Sequence, residues 1–279
     1  MKFGFIGAGK VGFSLGKYLA DNEMEVVGYY SEFKEDALEA SKFTKSSVYK
    51  NIEDLVRDSD VLFLTVPDGA IEKVWNQVKK TGISGKVVCH CSGALSSKVF
   101  SDISELGGFG YSIHPLLAVS DRYNSYKELS NSYFTIEGSP EKIGEIRQIF
   151  EKMGNKICII SAKDKVKYHA AAAIASNLVV GLIDLSEKLL MECGFERDEA
   201  GDALAPIVWG NIKHILNNGV VEALTGPIER GDADTIKKHL ATISGNDRET
   251  YIAVSRQVLE VAKRKNKDRD YSKIEEILK

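Results

Sequence analysis

The chain has 279 residues, 43% of them hydrophobic and 28% charged, a balance that excludes a disordered chain, a collagen and a disulfide-stapled mini-domain. Lys plus Arg total 37 against 40 for Asp plus Glu, so the net charge of −3 speaks against a general nucleic-acid binder, which would be basic. The length suggests about two domains.

Lys2–Ile6 reads as a short apolar strand, Gly7–Gly12 as a glycine loop and Val11–Asp21 as a helix. Glu25–Tyr30 follows as a strand, Glu35–Phe43 as a helix, Ser47–Tyr49 as a short strand and Ile52–Arg57 as a short helix. Asp60–Val66 is a nearly continuous apolar run, as expected of a strand buried on both faces. Ala70–Lys80 is helical, Gly85–Cys91 a strand and Ser96–Leu106 a helix. Tyr111–His114, Tyr133–Glu137 and Lys156–Ile160 read as further strands, with a helix over Pro140–Met153. Beyond residue 161 the pattern is helical throughout. Ser161-Ala162-Lys163-Asp164 fits a capping box. A helix then continues to Cys193, with Gly194 as its stop. A second runs from Asp198 to about Asn217, with a kink expected at Pro206 and a stop at Gly219. Helices over Ala233–Thr242, Asp247–Lys265 and Asp270–Leu278 complete the chain. The expected architecture is α/β: a doubly wound, mostly parallel sheet over residues 1–161, then an all-α domain over residues 162–279.

Cys89, Cys91, Cys158 and Cys193 form no C-x-x-C pair, and free thiols fit a reducing cytoplasm. Strand alternation sends His90 to the face opposite Cys89 and Cys91, so no metal site is expected there. No membrane association is expected. Phe3–Ile6 is too short for a signal peptide, and Ala170–Ile183 contains Ser176 and Asn177 and falls short of a bilayer. The basic run Lys263–Lys267 reads as a solvated face.

Gly7-Ala8-Gly9-Lys10-Val11-Gly12 matches G-x-G-x-x-G, and its place between a strand and a helix gives the match its weight. Gly7 permits the tight turn, Gly9 lets backbone approach a pyrophosphate, and Gly12 allows close helix–strand packing. The free N–H groups of the following helix would face the phosphates. At the end of the second strand, an NAD site usually carries an acid, but here Tyr30 and Ser31 occupy the slot. Ser31 could donate to a 2′-phosphate and Lys34 could supply charge, which favours NADP over NAD. If Glu32 faces the ribose, the preference reverses. Val66 and Pro67, at the end of the next apolar strand, are expected to line the cofactor.

Four further blocks sharpen the picture. They are His90-Cys91-Ser92-Gly93-Ala94, Ile113-His114-Pro115-Leu116, Tyr168-His169-Ala170-Ala171 with Ser176-Asn177, and Leu224-Thr225-Gly226-Pro227-Ile228 with Arg230-Gly231-Asp232. With Gly7–Gly12 and Thr65-Val66-Pro67-Asp68, they resemble the Rossmann-like proteins that carry domain of unknown function 2520. These are similar in plan to 6-phosphogluconate dehydrogenase and pyrroline-5-carboxylate reductase. The resemblance implies a Rossmann-type fold, a nicotinamide cofactor and hydride transfer to or from a carbonyl or imine carbon of a small, acidic substrate. It also implies pairing of the helical domains into a homodimer, for which the Ala-rich face Ala170–Ala175 would allow close approach. A protein that senses NADP(H) without turnover is the alternative.

Candidate catalytic residues are His169, Asn177, His114 and Ser92. Imidazole titrates near neutrality, so His169 or His114 could manage the proton. The β-hydroxyacid dehydrogenases carry Lys and Asn four residues apart on this helix, whereas Ala173 stands four before Asn177. Lys165 and His169 do have that spacing and share a face about 6 Å apart. His169 and Asn177 lie about 12 Å apart along the axis, so both could line one groove without touching one atom. Ser92 with Gly93 could hold a carboxylate, and Arg230 could clamp an anion. Asp232 reads as a helix cap, and His214 and His239 as surface residues.

Overall fold

The computed structural model describes residues 1–279. The chain runs β1 (Lys2–Ile6), α1 (Lys10–Asp21), β2 (Glu25–Tyr30), α2 (Lys34–Thr44), β3 (Ser47–Val48), α3 (Ile52–Asp58), β4 (Val61–Leu64), α4 (Asp68–Val78), β5 (Val87–His90), β6 (Phe109–Pro115), β7 (Tyr133–Gly138), α5 (Ile143–Lys152) and β8 (Lys156–Ile159). These strands form one sheet in the order β3-β2-β1-β4-β5-β6-β7-β8, parallel except where β7 runs antiparallel to β6. Helices α6 (Lys165–Ala175), α7 (Asn177–Glu192), α8 (Arg197–Ala223), α9 (Pro227–Arg230), α10 (Ala233–Thr242), α11 (Gly245–Lys265) and α12 (Ser272–Ile277) follow. The compact units are Met1–Asn177 and Leu178–Lys279.

Alternation of side chains along the strands builds the core of the first unit. Phe3 and Phe5 of β1, Val61 and Phe63 of β4, and Val87 and Cys89 of β5 pack on one face with α1, α2 and α5. Leu62, Leu64 and Val88 point to the other face, against Leu55 and Val56 of α3 and Ile71, Trp75 and Val78 of α4. The pattern sends His90 away from the two neighbouring cysteines, toward the Phe100 ring 5.4 Å off. In the second unit Ile228, Ile236, Leu240, Leu259, Ala262, Tyr271, Ile274 and Leu278 form a core among α9 to α12. Asp232 caps α10 by accepting from Thr235 N–H at 3.0 Å.

Several local expectations are corrected. Ser96–Leu106 holds only a 3-10 turn at Ser97–Val99, followed by turns. The Trp75 indole N–H takes the Ser101 carbonyl at 3.0 Å, tying this segment to α4 in a non-helical conformation. No capping box forms at Ser161, because its hydroxyl donates to Asp164 at 2.5 Å instead of accepting from backbone. The helix expected to reach Cys193 is broken at Ser176, with φ −127° and ψ −79°. Residues 162–192 are together long and apolar enough, by length and composition, to cross a membrane. The break leaves pieces of 11 and 16 residues, each shorter than the ~20 that a spanning helix needs. Gly219 (φ 81°, ψ 163°) interrupts α8, which resumes to Ala223. His239 is half-buried, with its Nδ1 2.8 Å from the Tyr251 hydroxyl, and Lys265 ties the Glu222 and Leu224 carbonyls.

Candidate functional site

The glycine loop sits where β1 ends. Gly7 has φ +99°, and a Cβ there would lie 2.7 Å from the Thr65 carbonyl oxygen, so only glycine fits both the turn and the approach of β4. A Cβ on Gly12 would stand 2.4 Å from Thr65 Oγ1, which donates to the Gly7 carbonyl at 2.8 Å. Gly9 is different: nothing lies within 4 Å of its Cβ position. No side chain caps α1, whose first N–H groups therefore face this open side together with exposed Lys10 and half-buried Val11. Val66 lies against Gly7, while Pro67 is exposed at the start of α4. At the end of β2, the Ser31 hydroxyl accepts from Phe33 N–H at 3.3 Å, and Glu32, Phe33 and Lys34 are exposed.

Sequence reading missed one neighbour of the loop. The Arg122 guanidinium donates to the Ala8 carbonyl at 2.8 Å, to Asp36 at 2.6 Å and to Glu39 at 2.9 Å, and lies 4.9 Å from the Phe13 ring centre. It arrives on a loop more than a hundred residues later, so no local pattern announces it.

A second cluster forms beyond the carboxyl ends of β4, β5 and β6. The Ser92 hydroxyl donates to Asp68 at 2.7 Å and accepts from the Ala94 and Leu95 N–H groups. Ser92 N–H donates to His90 Nδ1 at 3.2 Å, which places the His90 proton on Nε2, toward the Ser96 carbonyl. At Gly93 the chain passes two imidazoles: a Cβ there would stand 2.7 Å from His169 Nδ1 and 3.0 Å from His114 Nε2. His114 is half-buried at the end of β6 and His169 is exposed on α6. The other ring nitrogen of His114 is 2.7 Å from the Tyr168 hydroxyl.

Lys165 completes the cluster from the inside. Its side chain is among the most buried in the chain, and its Nζ donates to the Ser92 carbonyl at 2.8 Å and to Ser112 Oγ at 2.6 Å. Burial pushes this ammonium down to about 8, against the opposing pull of Glu137, Cys91 and Asp68. Burial, helped by the charges of Lys165 and His169, holds His114 down at about 4. The shared face of Lys165 and His169 was legible from their spacing. That one would point inward and the other outward was not, because periodicity does not say how a helix is rotated against a sheet. Asn177 is exposed beyond the Ser176 break, where it accepts from the Ser176 hydroxyl at 3.2 Å and shares no hydrogen bond with the cluster.

A mostly parallel sheet with an open-faced glycine loop at the end of its first strand, followed by an all-helical region, defines a Rossmann-like fold. More particularly, residues 1–115 match the model of a Rossmann-like domain and residues 132–258 match that of a domain of unknown function, DUF2520. No curated protein matches it. Among solved structures it is similar to protein TM1727 of Thermotoga maritima, at 26% identity and a TM-score of 0.76 over 95% of this chain and 99% of that one. It is also similar to a Bacteroides fragilis protein described as an NADP oxidoreductase, at 19% identity and a TM-score of 0.70 over 93% and 98% of the two chains. A third likeness is to the pyrroline carboxylate reductase of Plasmodium falciparum with NADP bound, at 16% identity and a TM-score of 0.58 over 94% and 98%.

Proposed function

We propose that the chain is an NADP-dependent oxidoreductase acting on a carbonyl or imine carbon of a small substrate. One observation carries the reading. The open face at Gly9 and the two imidazoles at Gly93 stand at the carboxyl ends of mutually parallel strands in one sheet, where such sheets take their ligands. The residues present fit a dinucleotide: nothing stands within 4 Å of the Cβ position of Gly9, so backbone can be approached there, next to uncapped N–H groups. The N–H groups that follow Gly7, from Ala8 to Gly12, would hold the pyrophosphate, since that of Gly7 is taken by the Tyr30 carbonyl; Ser31 and Lys34 would hold a 2′-phosphate, and Val66 and Pro67 would line the ring system. When bound, the nicotinamide supplies or accepts the hydride.

The chain's own residues then divide the proton work. His169, exposed to solvent, delivers a proton to the oxygen or nitrogen of the reduced bond. His114, neutral above about pH 4, hydrogen-bonds the same atom without carrying charge. Ser92, fixed by Asp68 and by two backbone N–H groups, borders the substrate space beside Gly93. Calorimetric titration with NADPH, NADH, NADP and NAD tests the reading. Tighter binding of NADPH than of NADH supports it, and binding of none of the four refutes it.

The same proposal includes a homodimer. In the second unit, α8 carries Ile207, Trp209 and Leu216 at 70%, 72% and 79% exposure. An apolar cavity of about 790 Å³, lined by Leu182, Leu185, Leu189, Ile243, Val254 and Val258, opens among α7, α10 and α11. Covering those three α8 side chains would contribute roughly 5–9 kcal/mol before the entropy of association. Trp209→Glu should convert a dimer into monomers in sedimentation. A wild-type chain that sediments as a monomer at micromolar concentration refutes the pairing.

A further inference from the structure

We infer that Lys165 is a positioning residue: by holding the Ser92 carbonyl from inside, it aims the Gly93 N–H at an acceptor oxygen of the substrate. The inference rests on the reading of this cluster as the reaction site and names one contact that the site makes. The Ser92 carbonyl accepts from Lys165 Nζ at 2.8 Å and from the Ser112 hydroxyl at 3.1 Å. Lys165 Nζ also donates to Ser112 Oγ at 2.6 Å, so the three groups close a triangle beside the end of β5. No peptide bond in the chain is cis, so the N–H of the same peptide, that of Gly93, points the opposite way.

That N–H is the donor left over in its turn. The Ser92 N–H goes to His90 Nδ1, and those of Ala94 and Leu95 go to the Ser92 hydroxyl. No group of the chain accepts from the Gly93 N–H, although Gly93 is buried. Buried backbone donors are nearly always paired with protein, water or ligand, so an unpaired one beside two imidazoles marks a place for an acceptor. The Ser92 hydroxyl does not fill that role. Its single proton goes to Asp68 at 2.7 Å, and its oxygen already accepts two N–H groups.

Lys165 also strengthens the donor it aims, because a cation on the carbonyl polarises the whole amide. The ammonium is in no ion pair. Of the carboxylates whose field reaches it, Asp68 of α4 takes the Ser92 hydroxyl, and Glu137 of β7 takes the Ser97 N–H at 2.7 Å and the Ser97 hydroxyl at 2.8 Å. Two of its three protons make the bonds to Ser92 and Ser112, and the third meets no acceptor in the chain. Buried Glu137 offsets the charge from inside, while Asp68 is exposed and screened by solvent. A donor so placed favours an oxygen that is charged or gains charge, either a carboxylate or a carbonyl oxygen under reduction.

The test reads this one peptide directly. Ser84-Gly85, Ser92-Gly93 and Ser244-Gly245 are the Ser–Gly pairs of the sequence, so labelling serine carbonyl carbon and glycine nitrogen reduces the NMR spectrum of the full-length chain to those pairs. Loss of a signal in Gly93→Ala assigns it. Acetate, acetone and pyruvate are titrated in without nucleotide and again with NADP. The Gly93 amide should move downfield with acetate if the oxygen is a carboxylate, and with acetone if it is a carbonyl; pyruvate carries both. An amide that none of the three moves overturns the inference. In Lys165→Met the Ser92 carbonyl signal should shift upfield and probe affinity should weaken on the order of tenfold. Ser112→Ala, which keeps the ammonium, should change both in the same direction by less, and it decides the matter if Lys165→Met does not fold. Unchanged signals in the folded variants overturn the positioning role. In turnover, Lys165→Met should raise KM if the oxygen is a carboxylate and lower kcat if it is the reacting one; both constants unchanged also overturn the role. A wild-type chain that turns over no carbonyl or imine fails the reading of the site, while the amide titration still decides the contact.

Discussion

Replacing Gly93 by alanine adds one carbon where two imidazoles meet. Gly93 does not have a positive φ, so the backbone accepts alanine and the perturbation is purely steric. The new Cβ would begin 2.7 Å from His169 Nδ1 and 3.0 Å from His114 Nε2, where ordinary contact begins at 3.4 Å. His169 must therefore retreat by about 0.7 Å and His114 by about 0.4 Å if the backbone holds. The two are not equally free. His169 is exposed and can swing away, whereas His114 is half-buried and bound to Tyr168. Overpacking of this kind costs about 1–3 kcal/mol of stability, which leaves a folded protein. Displacements of this size at reacting groups cost on the order of 10–100-fold in rate. The glycine loop is untouched, so NADPH affinity should stay within about threefold. The assay is NADPH consumption with a carbonyl or imine substrate, alongside a binding titration and a thermal melt. A variant with wild-type kcat and KM would refute the convergence of His114 and His169 on one substrate position.

Four further outcomes are expected. Gly9→Ala should leave stability within about 0.5 kcal/mol, because nothing lies within 4 Å of the new carbon, while NADPH binding weakens at least tenfold. Gly12→Ala should instead lower the melting temperature, since its Cβ meets Thr65 Oγ1; calorimetry and melts that fail to separate the two variants would undo the assignment. Burial holds His90 and His114 near about 4, below their ordinary 6.5, so the unfolded chain binds more protons than the folded one between those values. Stability should therefore be fully present above 6.5 and fall as pH drops toward 4. His90→Asn should shrink the fall in urea midpoint between about pH 7 and about pH 4.5, and an equal fall in both proteins would remove His90 from the account. Lys165→Met removes a charge that depresses both imidazoles, so the His114 titration should move upward in NMR; a titration that stays put would show that burial alone sets it.

Local pattern carried much of the architecture. The apolar runs at Lys2–Ile6 and Val61–Leu64 are strands because alternate residues meet different helical layers, and Phe3 and Leu62 do so. The expectation failed at Ser96–Leu106, where helical spacing lost to the indole of Trp75, and at Ser161, where a side-chain partner displaced the backbone one. Ser176 gave no warning as a helix break, because serine is only mildly unfavourable in a helix.

By itself the sequence determined what depends on near neighbours. The spacing Gly7, Gly9, Gly12 prescribes the turn, and the apolar periodicities prescribe which segments are strands and which are helices. What only the tertiary structure decided are contacts between residues far apart in the chain. Arg122 reaches the Ala8 carbonyl across 114 residues, Lys165 reaches Ser92 across 73, and Tyr168 reaches His114 across 54. Those meetings follow from strand order and from the rotation of α6 against the sheet, which are set by the packing of whole faces rather than by any local pattern.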